Sequence, residues 1–314
     1  MKTQLSTTRY VKSNGRNRRR IFELYSLAAI PLLLVFVFSY IPMFGIIIAF
    51  KNYKFNKGIF GSDWCGFDNF RFLLVSDDFP IAVRNTLVMN LIFIVVGTLA
   101  ALTVAVLLFN IKSRNATKVY QTILITPHFL SWVIVSYMLY ALLQPSYGIL
   151  NGMLKCIGLP GVDWYSNPQY WPVILTISNV WKCVGMDSVV YYAALMGVDS
   201  SLLEAADVDG ASRVQKVYHV MIPSIVPLIM MLTILKIGGI FNADFGLFYQ
   251  LPRNLPALYE TTDVISTYVF RAMREIGDMG MSSSAGLLQS VVGFVLVVIT
   301  NYASKKINEE GSLF

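Results

Sequence analysis

Three ionisable residues stand inside long apolar runs of this sequence, where a charge is costly. Lys182 and Asp187 lie in one run, and Lys236 lies in another. An ionised side chain costs at least about 2.5–3.5 kcal/mol at the middle of a bilayer, so such a residue is by default a functional candidate. Lys182 and Asp187 are five residues apart, which is roughly 140° around a helix, and they do not share a face. Asp187 and Lys236 fall at similar depths of their two runs, so these two side chains can meet.

Residues 204–223 form a second charged stretch, between two apolar runs. It contains Glu204-Ala205-Ala206, Asp209-Gly210 and Ile222-Pro223. Ser201 to Glu204 and Ser212 to Gln215 each have the spacing of a capping box, which satisfies free backbone amides at a helix start. Gly210 permits a turn that is closed to residues with a Cβ, and Pro223 suits the first turn of a helix. The pattern predicts two short helices joined by a tight bend and exposed to water; a merely solvated loop is the alternative.

The sequence lacks the patterns of a catalytic or metal-binding protein. It contains no phosphate-binding Gly-x-x-x-x-Gly-Lys-[Ser/Thr] loop. Two histidines on different segments and three cysteines have no metal or redox spacing. We therefore expect no catalytic residue, no metal and no cofactor on this chain, and any energy from a nucleotide must be supplied by another polypeptide.

The composition is that of an integral membrane protein. Of its 314 residues, 55% are hydrophobic and only 14% are charged, against about a quarter charged in soluble proteins. A helix needs about 20 apolar residues to cross the bilayer. Six runs qualify, at approximately Leu24–Phe50, Val83–Phe109, Tyr120–Leu143, Trp171–Met196, Ser224–Phe241 and Ala285–Tyr302. The predicted fold class is all-α, with six transmembrane helices, since bilayer-spanning backbone must satisfy its own hydrogen bonds.

Basic residues predict the orientation, because cytoplasmic loops accumulate lysine and arginine. Both termini are expected in the cytoplasm, together with a coupling loop at residues 200–222 between helices four and five. The predicted organisation is a basic tail (1–22), a first transmembrane helix with an external loop (23–82), a core of five transmembrane helices (83–306) and a C-terminal tail (307–314). The formal net charge of +7 is explained by this orientation and by anionic lipid, so no nucleic-acid partner is expected.

The charged stretch resembles a known family signature. Glu204, Ala205 and Ala206, three further residues, Gly210 and then Ile222-Pro223 are similar to the "EAA" motif of ATP-binding-cassette importer permeases. The resemblance covers most of residues 23–306. Further positions that look like the sugar-permease branch, nearest its complex-saccharide or alginate-type group, are Asn85-Thr86, Pro127, Tyr147 to Asn151, Trp181, Gly185 and residues 259–271.

The resemblance implies a transmembrane subunit of a type I importer in a bacterial plasma (inner) membrane. It implies a second homologous permease, two cytoplasmic ATPases that bind ATP and Mg, an extracytoplasmic solute-binding protein, and an oligosaccharide or polysaccharide fragment as substrate. The ATPase-coupling positions would be Glu204, Ala205, Ala206, Asp209, Gly210 and Pro223. Two alternatives remain open: a self-contained secondary transporter that uses Asp187 as an ion site, and a membrane scaffold without a pathway.

By resemblance, Lys236 lies where sugar permeases line their pocket. Sugars bind through hydroxyl hydrogen bonds and aromatic faces. The candidate substrate-binding residues are Asn179, Trp181, Lys182, Asp187, Tyr191, Lys236 and Asn242. If both lysines face one cavity, two bases against one acid favour an acidic oligosaccharide, such as one with uronates. A purely structural Asp187–Lys236 ion pair is the alternative.

The external loops predict contacts outside the membrane. Residues 262–276 have helical spacing of apolar residues and are expected to form an amphipathic helix that starts at a Thr or Asp cap. This helix would either pack on the outer mouth or contact the binding protein. Cys65 and Cys156 both fall on external loops, and whether they pair is left open by the sequence.

Overall fold

The computed structural model describes residues 15–76 and 78–307. Five helices in this part of the chain are long and apolar enough to cross a membrane, and a bent helix pair makes six if it counts as one span. The five are Tyr25–Phe50, Asp78–Phe109, Pro168–Met196, Arg213–Gly238 and Met279–Tyr302. Of the predicted tails, 1–22 and 307–314, residues 1–14 and 308–314 lie outside the described residues.

The first span is built from several helix types in succession. It runs through α1 (Gly15–Val35), a π-helical turn (Phe36–Tyr40), α2 (Ile41–Met43) and a 3-10 helix (Phe44–Phe50). Pro42, within α2, cannot donate a backbone hydrogen bond, which accounts for the change of helix type here. The described part of this helix includes residues 15–22 of the predicted tail, which are therefore helical.

A small hairpin follows this span. Strands β1 (Lys51–Asn52) and β2 (Asp63–Trp64) pair antiparallel on either side of α3 (Gly58–Gly61). The buried Lys51 ammonium donates to the carbonyls of Ile59 and Phe60, at 2.8 and 3.2 Å. Helix α4 (Asp68–Val75) then leads to α5 (Asp78–Phe109).

The third predicted span is a broken helix. Helix α6 (Arg114–Ile125) continues as a 3-10 turn (Thr126–Phe129), and α7 (Trp132–Leu143) leaves it at an angle of 96°. Pro127 supplies no amide hydrogen, and Ser131 has extended backbone and caps α7 through the amide of Ile134. The prediction of one helix from Tyr120 to Leu143 is therefore wrong.

The next two spans are joined by two short helices. In chain order the elements are α8 (Ile149–Cys156), a 3-10 turn (Pro168–Tyr170), α9 (Trp171–Met196), α10 (Ser200–Val208), α11 (Arg213–Lys216), a π-helical turn (Val217–Met221) and α12 (Ile222–Gly238). Residues 213–238 form one continuous helix. Pro223 lies in the first turn of α12, as predicted, and the wider π-helical turn before it accommodates the missing amide hydrogen. We call residues 199–216 the connection.

The last part of the chain packs several short helices on one end of the spans. They are α13 (Phe245–Gln250), a 3-10 turn (Pro256–Leu258), α14 (Tyr259–Thr262), α15 (Ile265–Arg271) and a π-helical turn (Ala272–Ile276), before α16 (Met279–Ile307). The amphipathic helix predicted at 262–276 is confirmed from Ile265 onward. Its expected Thr or Asp cap is not: the Thr267 hydroxyl accepts the Val264 amide, and Asp263 binds Arg271 instead.

Helices α5, α9 and α12 form the centre of the packing. At the end that carries the connection, Ala101, Tyr191 and Ile225 belong to one buried apolar cluster. At the opposite end, Trp171 packs with Leu247 of α13 in another. Gly185 lets α9 touch α6, because a Cβ at this position would collide with the Leu124 carbonyl.

Candidate functional site

The connection is stabilised by its own polar residues. Asp199, not Ser201, caps α10, since its carboxylate accepts the Ser201 amide at 2.9 Å. This hydrogen bond holds the pKa of Asp199 below its usual value. The predicted capping box at Ser201 is therefore wrong. The second predicted box is confirmed: Ser212 and Gln215 satisfy each other's backbone amides at the start of α11.

The bend between the two short helices is a Schellman motif. The Ala211 amide donates to the Ala206 carbonyl at 2.9 Å, and the Gly210 amide donates to the Asp207 carbonyl at 3.1 Å. Gly210 has φ +74°, a left-handed conformation that favours glycine. Across the bend, the Lys216 ammonium lies 2.6 Å from the Asp207 carboxylate. These contacts make the two short helices one unit.

One face of the connection packs on the spans, and the opposite face is exposed. Leu203 packs on the cluster that contains Ala101 and Tyr191. Glu204 and Ala205 are exposed, and within residues 15–76 and 78–307 the Glu204 carboxylate has no hydrogen bond or ion pair. Val208 is 89% exposed. This face of the connection therefore presents an exposed carboxylate beside small and apolar side chains, on a support held by its own hydrogen bonds.

A cavity of about 300 Å³, with charged and amide side chains set in a mainly apolar wall, opens between α5, α9 and α12; we call it the inner cavity. The Lys236 ammonium lies 2.7 Å from the Asp187 carboxylate on its wall, and both side chains are about one-third exposed (34% and 32%). Asn179 and Asn242 also line this cavity. From the sequence, Asp187 and Lys236 were expected either to form an ion pair or to line a cavity. In the structure they do both.

The inner cavity is electrically neutral in this arrangement, because Asp187 compensates Lys236. Lys182 does not line the cavity: its ammonium donates to the His128 carbonyl at 2.9 Å and lies 5.0 Å from the centre of the Trp132 ring. The prediction that two lysines and one aspartate face the same cavity, and so favour an acidic sugar there, is therefore wrong.

The two aromatic candidates also lie elsewhere. Tyr191 is buried in the apolar cluster at the connection end, and Trp181 is 40% exposed on another face of α9. Of the seven candidate substrate residues, the structure brings together Asn179, Asp187, Lys236 and Asn242 around one cavity. Their contact with a substrate stays a prediction.

Sequence reasoning missed Asn90, which joins the cavity from α5. Its amide donates to the Ile240 carbonyl at 2.6 Å, just beyond the end of α12, and it lines the cavity. A carbonyl released by a helix end needs a partner, and a lone polar residue in the apolar run of α5 was the available signal.

A buried ion pair joins the helices at the end opposite the connection. The Arg271 guanidinium donates to Asp263, which is 3% exposed, and lies 4.0 Å from the centre of the Tyr259 ring. Burial disfavours the charge on Arg271, but Asp263 outweighs burial and raises the pKa of Arg271 above its usual value. The Asn85 amide donates to the Asp263 carbonyl at 3.0 Å. Sequence reasoning singled out both segments but not their contact.

The cysteines and other potential ligands form no further site in the part of the chain that the structure describes. Cys65, Cys156 and Cys183 are free thiols, which settles the question of a Cys65–Cys156 pair. Within residues 15–76 and 78–307, no three His, Cys, Asp or Glu side chains come together as metal ligands would.

Residues 93–309 match the family described as binding-protein-dependent transport system inner membrane component. The protein LplB of Bacillus subtilis (strain 168) is 32% identical over 288 residues, which are 92% of this chain and 90% of LplB. The polygalacturonan/rhamnogalacturonan transport system permease protein YteP of the same organism is 32% identical over 275 residues, 88% of this chain and 85% of YteP.

Two solved structures have the same fold. One is a bacterial ABC transporter involved in the import of the acidic polysaccharide alginate, with a TM-score of 0.84 and 34% identity over 93% of this chain and 98% of that one. The other is a bacterial alginate ABC transporter in complex with an alginate pentasaccharide-bound periplasmic protein, with a TM-score of 0.83 and 34% identity over 94% and 98%.

Proposed function

The chain belongs to the binding-protein-dependent transport system inner membrane components, and from this membership we propose how it transports sugar. The family makes it a multi-pass bacterial inner-membrane permease, a non-catalytic subunit of an ABC sugar importer. A self-contained ion-coupled transporter and a scaffold without a pathway are left without support.

The proposed substrate is an oligosaccharide or a polysaccharide fragment. The relatives at 32% and 34% identity are named for polygalacturonan, rhamnogalacturonan and alginate, all of them long saccharides. In the proposed path the sugar enters the inner cavity, where the amides of Asn90, Asn179 and Asn242 offer hydrogen bonds to hydroxyl groups.

The proposed partners are those of a binding-protein-dependent importer. A second homologous permease completes the pathway, and a solute-binding protein delivers the sugar from outside. Two ATPase subunits bind ATP and Mg, and they bind the connection on the cytoplasmic side. The similar alginate transporter in complex with a pentasaccharide-bound periplasmic protein supports the solute-binding protein as a partner, and the other subunits are inferred from the family.

The single observation that carries the proposal is a shared set of helices. Leu203 of the connection packs on a cluster formed by α5, α9 and α12. The same three helices supply Asn90, Asp187 and Lys236 to the inner cavity. A displacement of the connection by an ATPase therefore acts directly on the helices that line the cavity. We infer alternating access by this route, with the connection as a rigid lever.

The test is charge reversal of Glu204 in the reconstituted complex. Glu204→Lys should leave the chain folded, because this side chain has no partner to lose in the part of the chain that the structure describes. We expect saccharide uptake to fall by at least about ten-fold, as for a protein interface that loses a charged contact. ATP hydrolysis should lose its dependence on sugar-loaded binding protein.

Lys118→Glu is the matched control, since Lys118 is exposed on α6 at the same end of the spans. It should change neither uptake nor hydrolysis. Sugar-stimulated hydrolysis that is unchanged in Glu204→Lys would contradict the lever.

A further inference from the structure

A second polar cavity, of about 210 Å³, lies between α7, α13 and the loop after α13; we call it the outer cavity. The outer cavity lies near the beginning of α9, whereas the connection follows the end of this helix. Since α9 has 26 residues and is therefore about 39 Å long, the two are at opposite ends of the spans. At about 30 Å³ per water molecule, the volume is that of roughly seven waters, which is the scale of one sugar unit. Its polar lining residues are Ser136, Tyr137, Tyr249, Gln250, Arg253 and Asn254.

Arg253 provides an unpaired positive charge at this cavity. Its guanidinium lies 4.3 Å from the centre of the Tyr140 ring and 5.9 Å from that of Tyr137. No carboxylate within residues 15–76 and 78–307 forms an ion pair with it. Burial raises the pKa of the nearby Tyr165 to about 12, so that phenol is neutral and does not compensate the arginine. Stacking fixes the plane of the guanidinium and leaves its N–H edge for a planar anion.

The other groups around the cavity are those that bind sugar hydroxyls and sugar faces. The Tyr259 hydroxyl donates to Asn254 Oδ1 at 2.9 Å, which leaves the Asn254 amide N–H groups free to donate. Tyr137 is 65% exposed, whereas Tyr249 packs against both Phe245 and Phe270, at 4.8 and 5.2 Å between ring centres. An exposed aromatic face such as that of Tyr137 carries the apolar face of a sugar ring.

The backbone adds an independent observation. Arg253 and Asn254 have φ of 59° and 49°, two consecutive left-handed residues that are not glycine. Such a conformation is unfavourable for residues with a Cβ, and it is concentrated at functional sites. Here it turns two adjacent polar side chains toward one cavity.

A few polar contacts lie between the outer cavity and the inner one. Trp132, one helical turn before Ser136, donates to the Asp244 carboxylate at 2.6 Å. Lys182 lies over the same indole ring, and Asn242, close to Asp244 in the chain, lines the inner cavity.

From these observations the geometry points to the outer cavity as a binding site for a carboxylated sugar unit, a uronate, whose carboxylate is held by Arg253 and whose ring lies on Tyr137. The inference rests on the proposed function and adds the class of substrate. It moves the recognition of acid from the neutral inner cavity to the outer mouth. An acidic side chain of a docked protein is the competing occupant of Arg253.

The test measures saccharide binding to the assembled complex in nanodiscs without binding protein, by saturation-transfer NMR. The probes are a galacturonate trisaccharide and the same trisaccharide with its carboxylates reduced to hydroxymethyl groups. In the wild type we expect the uronate to bind more tightly by about ten-fold, the worth of one charge-assisted pair. Arg253→Gln should abolish that preference and leave the affinity for the reduced sugar unchanged, whereas Arg253→Lys should restore part of it.

Two further variants separate binding from folding. Arg253→Gly removes the guanidinium but suits the left-handed backbone, so it should lose the preference without loss of thermal stability. Arg274→Gln removes an exposed arginine that lies over Phe270 and should keep the preference. A wild type that does not prefer the uronate, or an Arg253→Gln complex that weakens both sugars equally, would overturn the inference.

Uptake distinguishes this inference from the proposed function. If the wild-type complex imports saccharide with ATP but Arg253→Gln leaves the uptake ratio of the two sugars unchanged, the uronate site is refuted and the permease function stands. Equal loss of uptake for both sugars, with intact NMR binding, assigns Arg253 to protein docking and also refutes the site. Failure of the wild type to import any saccharide refutes the proposed function itself.

Discussion

The connection and the inner cavity treat charge in opposite ways. In the connection, Glu204 is exposed and has no partner in the part of the chain that the structure describes, although the neighbouring Asp207 is paired with Lys216. In the inner cavity, Lys236 and Asp187 face each other at 2.7 Å. A free charge at the surface is available to another protein at little cost, whereas a free charge between the spans would be expensive. The contrast separates an exposed charge on the connection, which is free within the described residues, from a compensated pair of charges in the cavity.

The two regions also differ in how far their contacts reach along the chain. The connection is held by residues two to nine positions apart, such as Asp199 with Ser201 and Lys216 with Asp207. The ion pair of the cavity joins residues 49 positions apart. The contacts of the connection are thus local, whereas the ion pair of the cavity links α9 to α12.

The largest expected effect comes from breaking the ion pair of the cavity. Asp187→Asn or Lys236→Met alone leaves one uncompensated charge between the spans. Because the pair is about one-third exposed, we expect a loss of about 2 kcal/mol, less than for a fully buried pair. The double variant should recover part of it, as measured by thermal unfolding of the purified complex in a double-mutant cycle.

Glu204→Gln is the matched control for this comparison, because its carboxylate has no partner to lose in the described residues. It should change stability by less than about 0.5 kcal/mol. Additive effects of Asp187→Asn and Lys236→Met would mean that the two charges do not interact, and the contrast between the two regions would fail.

A smaller effect is expected from Gly210→Ala. Its left-handed backbone costs an alanine roughly 1 kcal/mol, and a Cβ would meet no atom within 4 Å. The strain should weaken the bend of the connection and lower the number of sugars moved per ATP a few-fold, measured in proteoliposomes.

Gly158→Ala is the control, since Gly158 has φ +79° and equally open surroundings but follows α8 in a loop far from the connection. It should cost similar stability and leave the coupling ratio intact. Equal coupling in the two variants would remove the bend from the mechanism.

Local patterns were predictable from the sequence, and long-range ones only in part. The bend at Gly210 and the capping box of Ser212 follow from residues within one turn of each other. Asp199 was missed as a cap because two hydroxyls and an acid compete within one turn, and their backbone angles decide between them. The meeting of Asp187 and Lys236 was predictable from their depth alone.

The sequence was less informative about which face of a helix a residue lies on and about where a helix bends. The 96° bend after Phe129 depends on the extended backbone of Leu130 and Ser131, and an apolar run of sufficient length hides it. Lys182 and Tyr191 were misplaced for a related reason: depth in the membrane does not fix which face of α9 meets which neighbour. Arg253 lies in a loop, where no periodicity marks a site.

The central claim is that an ATPase subunit binds the exposed face of the connection. Its most direct test is site-specific cross-linking in the assembled complex, with a cysteine at Ala205 and, as a control, at Tyr147, which is 92% exposed and precedes α8. We predict that Ala205→Cys cross-links to the ATPase subunit and that Tyr147→Cys does not. A cysteine at position 205 that reacts only with lipid-phase reagents, or with no nucleotide-hydrolysing neighbour, would contradict the account.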